Sequence, residues 1–567
     1  MTNYAPIALF VYNRPKLTSE TLFHLSRNEL AAESILYVFS DGPKKGASEE
    51  DIQKIMEVRR LVKETSWSKE LHIYEKEENA GLAKSIISGV NHVISKHGKV
   101  IVLEDDLITS SHFLKFMNTG IEQYSKFNEV ASIHGFIYPF KQDLDEPFFL
   151  KGADCLGWAT WASAWENFEP DGRKLAHLLF SRNLYHEFDL GGEMNFSGML
   201  MDQILGKNNS WAIRWHASAF LANKLTLYSN HSLIHHIGTG EDATHSSHSD
   251  ALSKPIEEKE IRLPALKIEE SLEGNKALRE FFRALKQKDP YTRPSFIIGR
   301  KQKIKNVLKS ILQAEKSPFG WKGDFQTFEM AKAHSKGYNQ EGIVQKAMNS
   351  SLLVATGEKP YERDGMVFEK LEHNWPLASA LQKIAAEFNN SIEVCDFGGA
   401  FGSSYFQNRN LFNSSAQVKW HVIEQNEFVR NGKLKFENDK LKFHYSIGAM
   451  EEEGYRPHVL LLSSVLQYLD YPYKWLNYFL ALGYPYLLID RTSFISGPYE
   501  RITVQTVPPE IYEASYPCHF FKEEKLLEIL TKHYDLISDF PSFCDNPSVS
   551  EDGNKQYWKG YFLKRKS

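Results

Sequence analysis

Twice along this chain, short apolar runs alternate with stretches whose apolar residues recur at helical spacing. That rhythm constrains the fold more than any other feature. Between residues 5 and 110 the runs PIALFVY, ILYVFS, ELHIY and VIVL read as buried strands, separated by the helical stretches LTSETLFHLSR, EEDIQKIMEVRRLVKE and AKSIISGVNHVISK. Near residue 390 the rhythm restarts with SIEVCDFGGAFG, VKWHVIEQ, LKFHYSI, HVLLLSS and YLLIDRT. The chain closes with YDLISDF and YWKGYFLKRK, near enough in sequence to pair antiparallel. Strand, helix, strand in this order predicts α/β sheets wound with parallel strands, which bind ligands at their carboxyl ends.

A length of 567 residues exceeds one compact core and predicts two or three domains. Residues 1–285 form the first expected domain and 317–567 the second, with a basic linker over 286–316. In that linker Ile304, Val307, Leu308, Ile311 and Leu312 share one helical face, ringed by Lys301, Lys303, Lys305 and Lys309. Such a helix suits peripheral contact with an anionic membrane through residues 297–312, or it packs its stripe on a domain. Lys plus Arg number 67 against 72 Asp plus Glu, a balance that gives no reason to expect nucleic acid as a partner. Cys155, Cys395, Cys518 and Cys544 are scattered and form no C-x-x-C pair, which argues against a disulfide framework or zinc knuckle. The opening MTNYAPIALFVYNRP lacks a charged leader with a cleavage site, and no apolar window reaches bilayer-spanning length. A cytoplasmic location is the expectation, with peripheral contact at the inner face of the membrane as the alternative should the basic helix not pack on a domain.

The stretch KVIVLEDDLITS runs a strand into three adjacent carboxylates, Glu104, Asp105 and Asp106. Neighbouring like charges make one another harder to ionise, so the arrangement needs a counter-charge. A hard divalent cation, Mg²⁺ or Mn²⁺, would serve, since it prefers oxygen ligands and substrate phosphates. A solvated acidic turn capping the next helix is the alternative. Three other strand ends carry polar groups: Asn13 and Arg14 in VYNRP, Asp41 in FSDGP, and Asn79 and Gly81 in ENAGLAKSI. Asp41 stands where it could accept from the N–H of a nucleobase.

In combination, APIALFVYNRP, FSDGP, ENAGLAKSI, VLEDDL, CLGWATWASAW and HHIGTGEDATHS resemble the family 2-like glycosyltransferases of the GT-A fold, over about the first 250 residues. The resemblance implies a Rossmann-like nucleotide-diphospho-sugar transferase domain in which Glu104-Asp105-Asp106 is the DxD-type motif. Asp106 would ligate the metal, Asp105 would face the donor sugar or ribose, and Asp41 would contact the base. His245 resembles the downstream histidine that completes the metal site. Asp202, in GMLMDQILG, stands where inverting members carry the general base, with Glu193, Glu241 and Asp242 as competitors. Trp158, Trp161 and Trp165 read either as an acceptor-sugar platform or as core.

In the second half, SIEVCDFGGAFGSSYF passes from strand to helix through Asp396, Gly398, Gly399 and Gly402. Phe397 occupies the first glycine place of a dinucleotide fingerprint, and an acid ahead of the turn suits a cationic ligand such as the methionine part of S-adenosylmethionine. Glu424 ends the next strand, placed to accept from two ribose hydroxyls. This half resembles class I S-adenosylmethionine-dependent methyltransferases. More narrowly, FGWKGDFQTF, YERDGMVFE, SSVLQYL, LIDRT and VPPEIYEASYPCHFF resemble a group of methyltransferases from bacterial glycan gene clusters. The resemblance implies that Asp396, Gly398, Gly402 and Glu424 bind the methyl donor, with Ser463 or Ser464 beside it. His519, Asp490 and Tyr516 are candidates for the proton acceptor, and no metal is expected in this half.

The combined expectation is a bifunctional enzyme of glycan biosynthesis: metal-dependent sugar transfer from a nucleotide-diphosphate sugar to a glycan acceptor, lipid-linked acceptors included, fused to O-methylation of a sugar. A scaffold with one catalytically silent domain and a nucleotidyltransferase are the alternatives.

Overall fold

The computed structural model describes residues 4–141, 144–238, 254–285, 319–336, 340–509, 511, 514–550 and 553–566. The chain divides into two compact units, Met1–Gln287 and Lys288–Ser567. The basic stretch 297–312, Glu241, Asp242 and His245 lie outside the described residues.

The first unit is built on β1 (Ile7–Val11), β2 (Ile35–Ser40), β3 (Glu70–Glu75), β4 (Lys99–Glu104), β5 (Leu107–Thr109), β6 (Val130–His134), β7 (Phe148–Lys151), β8 (Trp158–Trp161), β9 (Leu225–Tyr228) and β10 (Ile234–His236). Eight of these form one sheet in the order β3-β2-β1-β4-β8-β6-β9-β7. IALFV in β1 is buried throughout, which is what an apolar run flanked by parallel neighbours requires. The intervening helices start and stop where local chemistry dictates. Ser48 caps Glu49–Lys63 by accepting from the Asp51 N–H, and Leu82–His97 runs from Gly81 to a left-handed Gly98.

Strands β1 to β4 are mutually parallel. β8 runs antiparallel to β4 and to β6, and β9 runs parallel to β6. The carboxyl ends of β1, β2, β4, β6 and β9 therefore share one edge with the amino end of β8. The short antiparallel pair β5–β10 follows directly on β4.

In the second unit the strands are β11 (Gly320–Phe325), β12 (Tyr361–Arg363), β13 (Met366–Phe368), β14 (Ser391–Phe397), β15 (Gln417–Ile423), β16 (Leu441–His444), β17 (Val459–Ser463), β18 (Tyr486–Ile495), β19 (Arg501–Thr506), β20 (Ser515–Phe520), β21 (Tyr534–Pro541), β22 (Ser548–Val549) and β23 (Lys555–Arg565). The main sheet has the order β16-β15-β14-β17-β18-β23-β21. Its first five strands are parallel, and β23 inserts antiparallel between β18 and β21. A separate antiparallel sheet, β11-β19-β20, takes strands from before and after the main parallel run. No described helix is long and apolar enough to cross a membrane.

Candidate functional site

Two edges collect the chemistry. At the first, β4 delivers Glu104, Asp105 and Asp106 beside the end of β1. The Arg14 guanidinium, just beyond β1, grips both aspartates: one nitrogen bonds Asp105 Oδ1 and another bonds Asp106 Oδ2 at 2.8 Å. The Tyr12 N–H donates to Asp105 Oδ2 at 3.2 Å, and His236 Nε2 lies 3.4 Å from Asp106 Oδ2. Gly238 passes so close to Asp106 that any Cβ there would collide with the carboxylate.

Burial pushes Asp106 upward, but His236 and Arg14 outweigh it and hold its carboxyl below the ordinary value. Asp105 is raised to about 6, because burial exceeds the pull of Arg14. Glu104 has no such partner, and burial together with the two aspartates pushes it to about 8.

The other expected residues of this half divide into groups. Asp41 uses both oxygens on backbone: Oδ1 accepts from Gly42 and Ala80 N–H at 3.0 and 2.9 Å, and Oδ2 from Gly81 at 3.0 Å. Asn79 Nδ2 donates to the Gly42 carbonyl at 3.0 Å, so Asp41, Asn79 and Gly81 lock one turn together. Asn13 Nδ2 donates to Asp51 Oδ1 at 3.1 Å. Asp202 sits on helix Phe196–Ile204, about half exposed, paired with Lys207 at 3.2 Å and touching none of the edge residues just described. Its competitor Glu193 pairs with Arg283 at 2.8 Å.

The tryptophans prove to be core. Trp158 stacks on Trp211 at 5.3 Å and Trp165 on Phe168 at 4.6 Å, and Trp158, Trp161 and Trp165 are all buried. Their apolar faces are spent on one another, so none is left for an acceptor sugar.

The acidic edge contains residues the sequence reading passed over. His236 beside Asp106 lies in the quoted segment HHIGTGEDATHS, nine residues before His245. Its pairing partner β5, which follows the acids directly, was the available signal.

Among the described residues, no group of three or more His, Cys, Asp and Glu is gathered to hold a metal ion. Arg14 is closed over the oxygens such an ion would use. The donor types, carboxylate oxygens plus an imidazole, fit Mg²⁺ or Mn²⁺ once that guanidinium moves aside.

At the second edge, Asp396 is the penultimate residue of β14, and its Oδ2 accepts from Trp420 Nε1 at 2.9 Å. Gly399 passes so near that a Cβ would stand 2.5 Å from the Asp396 carboxyl carbon. A Cβ on Gly398, at φ +76°, would meet Val465 at 2.6 Å. These two glycines are therefore required by close approach. Gly402, at φ +90°, caps the following helix. Burial lifts Asp396 to about 7 against the single indole donor, with Glu424 adding to the rise. Burial also raises Glu424, whose Oε2 accepts from the Gln425 N–H at 2.7 Å. A recess of about 160 Å³, lined by Gln425, Asn426, Glu427, Phe428 and Val344, opens directly after it.

Ser463 Oγ and Asn374 Nδ2 both donate to Asp490 Oδ2, at 3.1 and 3.0 Å. Asp490 Oδ1 is buried without a hydrogen-bond partner, and burial raises its carboxyl. Ser464, at φ +54°, donates its N–H to the Asp490 carbonyl at 2.9 Å. Of the expected proton acceptors, then, Asp490 lies at the strand ends beside Ser463. His519 and Tyr516 stand instead on β20 of the separate antiparallel sheet. His519 stacks between Phe328 and Phe521, and burial lowers it to about 4. Tyr516 meets the edge of Tyr468. Two further polar residues here were missed. Asn374 announces itself only as an N-cap before helix Trp375–Glu387, and Glu362, in the hairpin β12–β13, accepts from Ser351 and Ser403.

No family model and no curated protein matches this chain. Solved structures similar to parts of it include the N-terminal domain of EvdMO1 in the presence of SAH and D-fucose, at 10% identity over 41% of this chain and 98% of that one, TM-score 0.25. The N-methyltransferase NodS from Bradyrhizobium japonicum, in complex with S-adenosyl-L-homocysteine, matches at 10% identity over 41% of this chain and 100% of that one, TM-score 0.23. S. aureus TarS matches at 12% identity over 29% of this chain and 30% of that one, TM-score 0.21. Likeness at these scores carries no argument, and the α/β assignment rests on the strand orders given above.

Proposed function

We propose that this chain is a two-site transferase acting on a glycan in the cytoplasm: a methyltransferase using S-adenosylmethionine in the second unit and a nucleotide-sugar glycosyltransferase in the first. The observation that carries the methyltransferase reading is Asp396 at the end of β14, pressed against Gly399 in a seven-strand order of five parallel strands closed by an antiparallel pair. That order is the layout expected of class I methyltransferases, and a buried acid without a cationic partner suits a cationic ligand.

The residues fit that donor. Asp396 would face its charged methionine end and Glu424 its ribose hydroxyls, with the recess after Glu424 receiving the nucleoside. When bound, S-adenosylmethionine supplies an electrophilic methyl group. Asp490, held by Ser463 and Asn374, would accept the proton from the sugar hydroxyl that attacks.

In the first unit, the support is one carboxyl edge carrying Asn13, Arg14, Asp41 and the three acids, as a diphosphate-sugar site requires. A divalent cation there would be held by Asp106 with His236 and the substrate phosphates, and would offset charge on the leaving diphosphate. Arg14, released from the aspartates, would turn its guanidinium toward the same phosphates.

Calorimetric titration of the full chain with S-adenosylhomocysteine, and separately with a panel of nucleoside diphosphates with and without Mn²⁺, tests both halves. Expected are binding of S-adenosylhomocysteine lost in Asp396→Asn and binding of one diphosphate lost in Asp106→Ala. A folded chain that binds neither class of ligand would overturn the reading.

A further inference from the structure

Beyond the residues already discussed, the first edge carries another acid. Asp154 lies in the turn that leads into β8. Because β8 pairs with both β4 and β6, this turn opens on the same edge as Glu104–Asp106. The next residue, Cys155, lies close enough to Asp154, Glu104 and Asp106 for its thiol to be raised by all three, after burial itself.

The turn is pinned from both sides. The Leu156 N–H donates to Nε2 of buried His134, at the end of β6, at 3.1 Å, and the Ala153 carbonyl lies 2.7 Å from His216 Nδ1. Asp154 itself is aimed by two phenols. Tyr138 and Tyr228 donate their hydroxyls to Oδ2 at 2.6 and 3.3 Å, and the Cys155 N–H donates to Oδ1 at 2.9 Å. An ionised carboxylate offers about four acceptor positions, so these three bonds leave one free. Asp154 as a whole is partly exposed.

We propose that Asp154 is the proton acceptor for sugar transfer at this edge and that Tyr138 and Tyr228 position it. The inference rests on the glycosyltransferase reading. In the step, the acceptor hydroxyl oxygen bonds to the anomeric carbon as the bond from that carbon to the diphosphate oxygen breaks. The diphosphate leaves with the electron pair, and the hydroxyl proton passes to the Asp154 carboxylate. Asp202, half exposed and tied to Lys207, is thereby relieved of the role.

The test compares Asp154→Asn, Tyr228→Phe and Asp202→Asn in the full chain by diphosphate binding, nucleotide-sugar turnover and its pH profile. Asp154→Asn should bind diphosphate within roughly twofold of wild type while losing about 10²–10⁴ in turnover, the usual share of a general base. The groups facing Asp154 are His134, Tyr138, Cys155, His216 and Tyr228. Removing the Tyr228 hydroxyl takes away a bond that favours the ionised form, so the acid limb of the profile should move to higher pH. A loss of packing alone would not move it. Turnover retained in Asp154→Asn, loss of diphosphate binding in that variant, or a comparable turnover loss in Asp202→Asn alone would overturn the assignment. A wild-type chain that binds and turns over no nucleotide sugar overturns the glycosyltransferase reading and this inference with it; an active wild type with an active Asp154→Asn overturns this inference only.

Discussion

Asp105 and Asp106, at the carboxyl edge of the first sheet, share the Arg14 guanidinium, whereas Asp396, at the matching edge of the second, has an indole N–H for company. Burial acts on both sets of acids. With His236 and Arg14 beside it Asp106 stays below its ordinary value, and Asp105, with Arg14 and the Tyr12 N–H, rises to about 6; where only a neutral donor is present, Asp396 climbs to about 7. The difference separates two ways of keeping a binding edge stable without its ligand. The first edge carries its own counter-charge, and an incoming cation must compete with it. The second takes up a proton and gives it back when a cation arrives.

The largest effect expected from this contrast comes from removing the built-in charge. Arg14→Met leaves two buried aspartates without their partner, and breaking such a pair costs about 3–5 kcal/mol. Denaturant unfolding followed in the first unit should show that loss. Added Mn²⁺ should then recover more stability in the variant than in wild type, because the ion no longer competes with a guanidinium. A variant as stable as wild type would mean that Arg14 is not the counter-charge, and the contrast between the edges would collapse.

Next in size is Asp396→Asn. The amide keeps an oxygen for Trp420 Nε1 but cannot become anionic, so affinity for S-adenosylmethionine should fall by about tenfold or more while the fold is retained. Unchanged affinity by calorimetry would remove Asp396 from the donor site.

The same residue predicts a pH dependence. The folded chain holds a proton on Asp396 up to about pH 7, while the unfolded chain releases it near the ordinary value of 3.8. The contribution of Asp396 to the stability of the second unit should therefore fall as pH rises from about 4 to about 7 and level off above, on the order of 1.4 kcal/mol per unit of raised pKa. Buried His519, lowered to about 4, and His421, lowered to about 3, contribute the opposite slope. Glu362, raised to about 7 by burial, adds a slope of the same sign as Asp396 in the same window. Asp396→Asn should remove its own share of the slope and leave the shares due to Glu362 and the two histidines. A stability difference between wild type and Asp396→Asn that does not decline over this window would sink the account of the second edge. Affinity for a cationic donor should increase through the same interval, since the proton must leave before the charge pairs.

How far these edges could be read from sequence follows from what each signal depends on. The strands of both sheets announce themselves because burial on two faces demands apolar runs, and IALFV or VLLLS leaves little alternative. Glycine-rich turns and acids at strand ends are equally local, which is why Asp396, Gly399 and the run at 104–106 stood out. What escaped was long-range. That β23 threads between β18 and β21, that Arg14 reaches across to β4, and that Asn374 bonds an aspartate 116 residues away are facts of pairing that no window reveals. The tryptophans show the limit from the other side. Spacing alone could not tell a platform from a core, and the stacking of Trp158 on Trp211 decided it.

The smallest expected effect is the sharpest check on the first edge. Asp202 and Lys207 form a pair in which each side chain is 48% exposed, so water and salt screen most of their attraction. Asp202→Ala should change stability by no more than about 0.5 kcal/mol and leave nucleotide-sugar turnover and diphosphate binding as they are. The measurement is informative because it is asymmetric. A silent substitution fits an edge whose working acids are held at strand ends and on the turn before β8. If turnover instead disappears while the chain stays folded and still binds diphosphate, the proton acceptor sits on a surface helix. Helix Phe196–Ile204 would then have to close onto the sheet during the reaction, and the first site would be assembled by motion rather than by strand order.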